Sequence, residues 1–362
     1  MEGEMNNFIK VWISVLVSLT YCYVISKLIS KGTKRLIFYL PIISLFLFLP
    51  LKLNSVNLVG ATSFCYSWLA NFKLLLLAYN KGPLSSSNNL SFGQFLVIAS
   101  FPIEIKEKTK NPSQKNPNNN KQPTISFTLK TLLLAILIQI CNNINNNNKN
   151  SQNYYHNIVV LILYFIITYL VLETTLVIVA TLARAMVGLE LEPHFNEPYL
   201  STSLQDFWGK RWNLIVTRIL RPTVFLPTYR FSSTFLGYKW APLPAIVATF
   251  VVSGLVHELM YFYVSRATPT WEVTSFFVLH GLCLTVEIVL KKGLCDTWRL
   301  PGVVSGALTM GFVMLTSFWL YFPQLIRCKA DVKVLEEYGD LGKFLGKIVG
   351  QSYHVFIRFQ SQ

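Results

Sequence analysis

The sequence predicts an all-α membrane protein, a polytopic bundle of about eight or nine transmembrane helices. Three observations carry that expectation. Of 362 residues, 52% are hydrophobic and only 14% are charged, well below the quarter or so that soluble proteins carry. The apolar residues come in runs close to or above the roughly 20 needed to cross a bilayer. Lys and Arg collect in alternate loops between those runs, the pattern by which membrane proteins mark their cytoplasmic side.

The runs fall at about 8–29, 36–51, 56–80, 125–141, 157–182, 243–264, 273–290 and 301–322, with a weaker one at 92–103. The first, from Phe8 to Ile29, is long for a signal-peptide core and follows Glu2 and Glu4 rather than a basic stretch, so it reads as a retained span. Loops 30–35, 81–124, 183–242 and 291–300 together hold 19 Lys and Arg, and the opposing loops 52–55, 142–156 and 265–272 hold 3. The first set is therefore placed in the cytoplasm. The segment after Phe322 adds six basic residues on the opposite side, a break with the rule that a ninth span or a re-entrant segment would repair. The chain reads as a single membrane domain, 1–362, with no internal repeat. Two stretches, 106–123 (rich in Lys, Asn, Pro and Gln) and 142–153 (mostly Asn), have too little apolar area to fold and are expected to be disordered.

A net charge of +15 would suit a nucleic-acid binder, but the basic residues lie in loops between apolar runs, so no nucleic acid is expected as a partner. The six cysteines, Cys22, Cys65, Cys141, Cys283, Cys295 and Cys328, form no CxxC pair and indicate neither a zinc knuckle nor a disulfide scaffold. They read as small buried hydrophobes.

Ionisable residues inside apolar runs are costly and are candidates for function. His257 lies in Ser253-Gly254-Leu255-Val256-His257-Glu258-Leu259-Met260-Tyr261. On a helix, Ser253, Gly254 and Tyr261 share its face, and the two small residues leave room for a ligand or for a neighbouring helix. A neutral imidazole here is a competent general base for a hydroxyl proton. The alternative is a structural His bonded across helices. Tyr261 stands where the second His of an HExxH zinc motif belongs, so no metal is expected. No GxSxG elbow occurs, which favours direct transfer over a covalent acyl-enzyme. His280 and Glu287 share a face seven residues apart, as a proton relay or a structural contact, and Glu173 stands alone in its run. His156 and His194, in loops, and His354, in the C-terminal segment, read as solvated.

Loop 183–242 is long and rich in aromatic and basic residues, as suits an interfacial or re-entrant element, and is where substrate binding is expected. It contains Phe207-Trp208-Gly209-Lys210-Arg211-Trp212-Asn213. By itself Asn213 reads as a helix cap; its functional reading is an amide donor to an oxyanion.

These segments carry a resemblance. Glu190-Leu191-Glu192-Pro193, Ser203 to Asn213, and Ser253-Gly254-Leu255-Val256-His257-Glu258 resemble the plant wax synthases, long-chain-alcohol O-fatty-acyltransferases of the membrane-bound O-acyltransferase superfamily. Trp68 to Leu76 and Gly82-Pro83-Leu84 also look like that family. The resemblance spans most of the chain outside the two Asn-rich inserts. It implies a helical fold with an internal tunnel, an endoplasmic reticulum location, and no cofactor, fatty acyl-CoA being a co-substrate arriving from the cytosol. It implies a lipid alcohol arriving from the surrounding membrane lipids, with His257 as catalytic base and Asn213 as its partner. Lys210, Arg211, Arg218 and Arg221 become candidates for the CoA phosphates, and Trp208, Trp212, Ser253, Glu258 and Tyr261 candidates for the lining of the site. The expected reaction makes wax esters from a fatty alcohol. A sterol or diacylglycerol is the alternative acceptor, and a transporter or channel lined by His257, His280, Glu287 and Glu173 is the alternative of another class.

Overall fold

The structure, a computed structural model, describes residues 2–85, 90–106, 123–147, 158–188, 190–293, 300–330, 332–334 and 337. Among these residues six helices are long and apolar enough to cross a membrane: Gly3–Leu28, Thr33–Lys52, Ile158–Val187, Pro242–Ser265, Glu272–Gly293 and Gly302–Arg327. In chain order, α1 is Glu2–Leu28 and α2 is Thr33–Phe48; α3 (Val56–Thr62) and α4 (Asn71–Ala78) join through a π-helical stretch, Ser63–Ala70, into one rod. Helix α5 is Phe92–Ser100, α6 is Pro123–Asn147 and α7 is Ile158–Val187. Then come α8 (Leu204–Asp206), α9 (Leu214–Leu220), α10 (Leu226–Trp240), α11 (Pro242–Ser265), α12 (Glu272–Gly293), α13 (Gly302–Thr316) and α14 (Phe322–Arg327).

The eight expected strong runs are all helical, and two differ in kind from the six long spans. The 56–78 rod buries Asn71 and Lys73, and the apolar part of α6 is a shorter stretch, Phe127–Cys141. The weak run at 92–103 is α5, nine residues long and too short to cross; it packs against α1. The Asn-rich stretch expected to be disordered at 142–153 is corrected in part: α6 continues through Asn147. Residues 148–153 lie outside the described residues, as do 107–122 of the other stretch, His156, His354 and Cys295.

Helix α11 packs against α10, α12 and the 56–78 rod. Its longest contact is with α12, and glycines allow the approach. A Cβ on Gly254 would meet the Thr274 Cα at 3.0 Å, and one on Gly281 the Phe250 Cβ at 2.8 Å. Close backbones give helices packing that lipid-like side chains alone cannot. On the other side of α11, Val252, Val256 and Met260 pack against Trp68 and Leu69 of the 56–78 rod and against Ile215 and Ile219 of α9.

Loop 183–242 is a folded, mostly helical element. Its first part pairs with the segment after α5: the Lys106 amide donates to Glu190 O at 2.9 Å and the Glu192 amide to Glu104 O at 3.0 Å. His194, read as solvated, is buried; its Nε2–H donates to Pro102 O at 2.6 Å, and burial lowers its pKa. A long polar stretch between spans reads as a surface loop, but pairing with residues 102–106 draws this one into the protein.

Candidate active site

On α11, the helical spacing divides the residues around His257 between two faces. Gly254 and Glu258 serve the contact with α12, whereas Ser253 and His257 face a cavity of about 480 Å³. The His257 Nδ1 sits 2.7 Å from Ser253 O. A carbonyl only accepts, so the proton is on Nδ1 and the Nε2 lone pair is free to take one. The ring is held edge-on by Trp68 (centroids 5.1 Å apart) and flanked by Phe277 (4.3 Å).

The facing wall is the segment from α8 to α9. Ser203 caps α8 by accepting from the Asp206 amide at 3.1 Å, and the Leu204 amide donates to Glu287 of α12 at 2.8 Å. The chain then makes one π-helical turn, Phe207–Arg211. His194 O accepts from the Leu214 amide at 2.8 Å, and Arg211 O from the Asn196 amide at 3.0 Å. This clamp holds Asn213 in a left-handed conformation (φ 36°, ψ 64°) at the start of α9, yet its side chain makes no cap. The Asn213 Oδ1 is buried and has no hydrogen-bond partner. The capping reading therefore fails, and a polar group has been placed at the cavity wall without an internal use.

A second cavity of about 100 Å³ lies beyond, among Phe165, Tyr169 and Leu172 of α7 and Val313, Ser317 and Tyr321 from α13 onward. Trp208, Trp212, Asn213, His257 and Phe277 line both cavities. The two spaces thus meet where the expected base and its partner stand.

The other expected residues divide. Arg221 lines the large cavity. Arg211 pairs with Asp206 at 2.6 Å, and Arg218 bridges Glu192 (3.0 Å) and Glu104 (3.5 Å), the latter a carboxyl that burial raises. Lys210 is exposed and lines neither cavity. Glu258 is buried, and its carboxylate accepts from the amides of Thr270 (3.1 Å), Trp271 (3.0 Å) and Thr274 (3.2 Å). It anchors the start of α12 rather than facing the cavity. Tyr261 packs on Tyr321 (5.7 Å). His280 and Glu287 form no relay: His280 bonds Trp208 and Thr316, and Glu287 holds α8 and Lys291. Glu173 pairs with Lys130 of α6 at 2.6 Å.

Sequence reasoning missed Lys292, which stands at the rim of the large cavity with its Nζ donating to Lys239 O at 3.0 Å. The signal was present: Phe277, Leu284, Ile288 and Lys292 follow one face of α12.

Residues 191–279 match the model of the membrane bound O-acyl transferase family. The chain is 43% identical over 341 residues to an acyl-CoA–sterol O-acyltransferase of Arabidopsis thaliana, covering 94% of this chain and 96% of that one. It is equally identical, over 339 residues, to a long-chain-alcohol O-fatty-acyltransferase of Simmondsia chinensis, covering 93% and 95%. A probable long-chain-alcohol O-fatty-acyltransferase of Arabidopsis thaliana matches at 43% over 341 residues, 93% of this chain and 95% of its own. The chain belongs to the membrane bound O-acyl transferase family. It is a multi-pass membrane acyltransferase, and the family match covers both the Trp208–Asn213 segment and His257. The channel alternative falls with this finding; of its four groups, Glu173, His280 and Glu287 each serve a separate structural contact.

Proposed function

We propose that this acyltransferase moves the fatty acyl group of acyl-CoA onto a long-chain alcohol, making a wax ester, in one domain spanning the chain. The observation that carries the reading is the meeting of two unlike cavities at His257 and Asn213. The larger has Arg221 and Lys292 on its lining, cations suited to CoA phosphates. The smaller is walled mainly by rings and aliphatic side chains and suits a narrow apolar chain ending in a hydroxyl. The membrane is that of the endoplasmic reticulum, with the basic loops in the cytosol, and the reaction needs no cofactor.

The His257 Nε2 takes the alcohol proton as the oxygen attacks the thioester carbon. The Asn213 amide donates to the thioester oxygen as negative charge gathers there. The C–S bond breaks, and the leaving thiolate takes the proton back from the imidazolium. The base thus returns to its starting state with ester and CoA as products.

Microsomes containing the protein, supplied with labelled acyl-CoA and a panel of fatty alcohols, sterols and diacylglycerol, test the reading. Fatty alcohols should give ester, and His257→Ala should lower the rate about 10²–10⁴-fold at unchanged protein level. Ester from sterols alone would transfer the activity to the acceptor named in the Arabidopsis relative. Activity of His257→Ala above about a tenth of wild type would make that ring structural.

A further inference from the structure

Of the five side chains common to both cavities, three are aromatic: Trp208, Trp212 and Phe277. They stand across the junction around the proposed reacting pair. Trp208 differs from the other two in having a polar handle that is tied down. Its Nε1–H donates to the Nδ1 of His280 at 3.1 Å. His280 is fully buried and lines neither cavity. Its Nε2 lies 2.8 Å from the Thr316 Oγ1, and the Thr316 hydroxyl proton is directed to Phe312 O at 2.7 Å. With that proton spent, Thr316 accepts, so Nε2 carries the His280 proton and Nδ1 presents its lone pair to the indole. The tautomer is fixed by the chain Phe312–Thr316–His280–Trp208. Trp68, more deeply buried than the partly buried Trp208, has an Nε1 with no hydrogen-bond partner. An acceptor for the indole is therefore not a general requirement of this core.

We propose that His280 is a positioning residue: by fixing the Trp208 indole across the junction it keeps the small acceptor cavity closed to the water of the large one. The large cavity carries Gln205, Arg221 and Lys292 on its lining, polar groups that can hold water there before the donor enters. If the indole swings away, the two spaces merge and water competes with the alcohol. The side reaction is balanced and needs only water. The His257 Nε2 takes a proton from water, the water oxygen bonds to the acyl carbon, and the C–S bond breaks. The thiolate recovers the proton, leaving a fatty acid and CoA. The inference rests on the assignment of the two cavities made above.

A purely structural role would have His280 bridge α12 to Thr316, with Trp208 incidental. Two amides separate the roles. In His280→Asn the Oδ1 stands near the position of Nδ1 and accepts from Trp208, while the contact to Thr316 is lost. In His280→Gln the Nε2 stands near the position of the ring Nε2 and keeps Thr316, while Trp208 is released. The measurement is CoA thiol released against ester formed, by the full-length enzyme in lipid nanodiscs, with labelled acyl-CoA and a long-chain alcohol that the wild type esterifies. His280→Asn should keep the ratio near that of the wild type. His280→Gln and Trp208→Phe should each raise the KM for alcohol about tenfold, the scale of one lost hydrogen bond and its consequences. They should release CoA in excess of ester with the KM for acyl-CoA unchanged, and the double variant should be no worse than Trp208→Phe. The inference is overturned by the reverse order of the amides, by a fall in kcat with no excess CoA, or by additive losses in the double variant. If the wild type forms no ester from any alcohol, the site assignment itself falls, and this inference with it.

Discussion

At the scale of single residues, the sequence marked His257 as an ionisable group inside an apolar run and Asn213 through the resemblance of its segment, its own reading being a helix cap, and the structure brings both to the junction of the two cavities. What the sequence could not show was the backbone. Asn213 sits in the left-handed region, which Asn tolerates better than most residues but which still costs a side chain free energy that glycine is spared. That separates backbone from side chain in a test. Asn213→Gly relieves the backbone and deletes the amide, so it should fold at least as well as wild type and make little ester. Asn213→Asp keeps the shape but replaces a donor by an acceptor-only carboxylate, which repels the charge gathering on the thioester oxygen. Ester synthesis by Asp should be no better than by Ala, whereas two good helix caps would be interchangeable. Near-normal synthesis by Asn213→Asp would remove the amide from the chemistry. The basic residues were less legible. Arg211 and Arg218 looked like phosphate ligands in a run of sequence, but Arg211 pairs locally with Asp206, and Arg218 pairs with Glu104 and Glu192 across segments, which only the folded chain shows.

At the scale of elements, the site is built where helices lose their regular register. The described residues contain four π-helical stretches, Ser63–Ala70, Phe207–Arg211, Arg221–Phe225 and Ser317–Tyr321. Each contributes a lining side chain: Trp68, Trp208, Arg221 and Tyr321. An extra residue in a turn re-aims side chains that a regular helix would point elsewhere, and hydropathy runs carry no trace of it. This is why the spans were legible and the shape of the cavity was not. Glu258 shows the same limit. Adjacent to His257 in sequence, it lies on the other face of α11 and collects the amides of Thr270, Trp271 and Thr274 at the start of α12. A carboxylate beside a helix N-terminus is well placed. Its removal leaves three partly buried amide donors without this acceptor, each at the lower end of about 1–3 kcal/mol. Glu258→Ala should therefore lower the Tm of the detergent-solubilised enzyme by several degrees, and Glu258→Gln by less. The surviving folded protein should keep most of its specific activity. A normal Tm with activity cut a hundredfold would instead put Glu258 in the reaction.

At the scale of the whole molecule, the alternation of basic and non-basic loops meets an independent test in the contacts between them. The segments expected in the cytoplasm touch one another. The Gly32 amide donates to Ala78 O at 2.8 Å, the Lys106 amide to Glu190 O at 2.9 Å, and the Lys292 Nζ to Lys239 O at 3.0 Å. The opposing segments do the same. Arg266 donates to Pro50 O and Leu53 O, each at 2.9 Å, and the Asn54 amide donates to Glu4 at 2.7 Å. The described part of the basic segment after Phe322 joins this second group, since Arg327 pairs with Glu272 and Glu337 accepts from the Val56 amide at 2.7 Å. The expected repair by a ninth span therefore does not occur before this point, and the carboxylates of Glu272 and Glu337 offset part of that charge. Charge alone decides which group faces the cytosol, and 19 basic residues against 3 in the opposing loops, or 9 with all six after Phe322 counted, point to the group holding Lys239. Lys239 and Ala267 are both exposed and lie on opposite groups. In a cysteine-free background, Lys239→Cys in sealed microsomes should react with a membrane-impermeant maleimide at once, and Ala267→Cys only after permeabilisation. The opposite pattern would invert the protein, set Arg221 and Lys292 away from cytosolic acyl-CoA, and so remove the donor side of the proposed reaction. Labelling of both positions in sealed vesicles would place the α11–α12 turn on the cytosolic face and break the two-group arrangement itself.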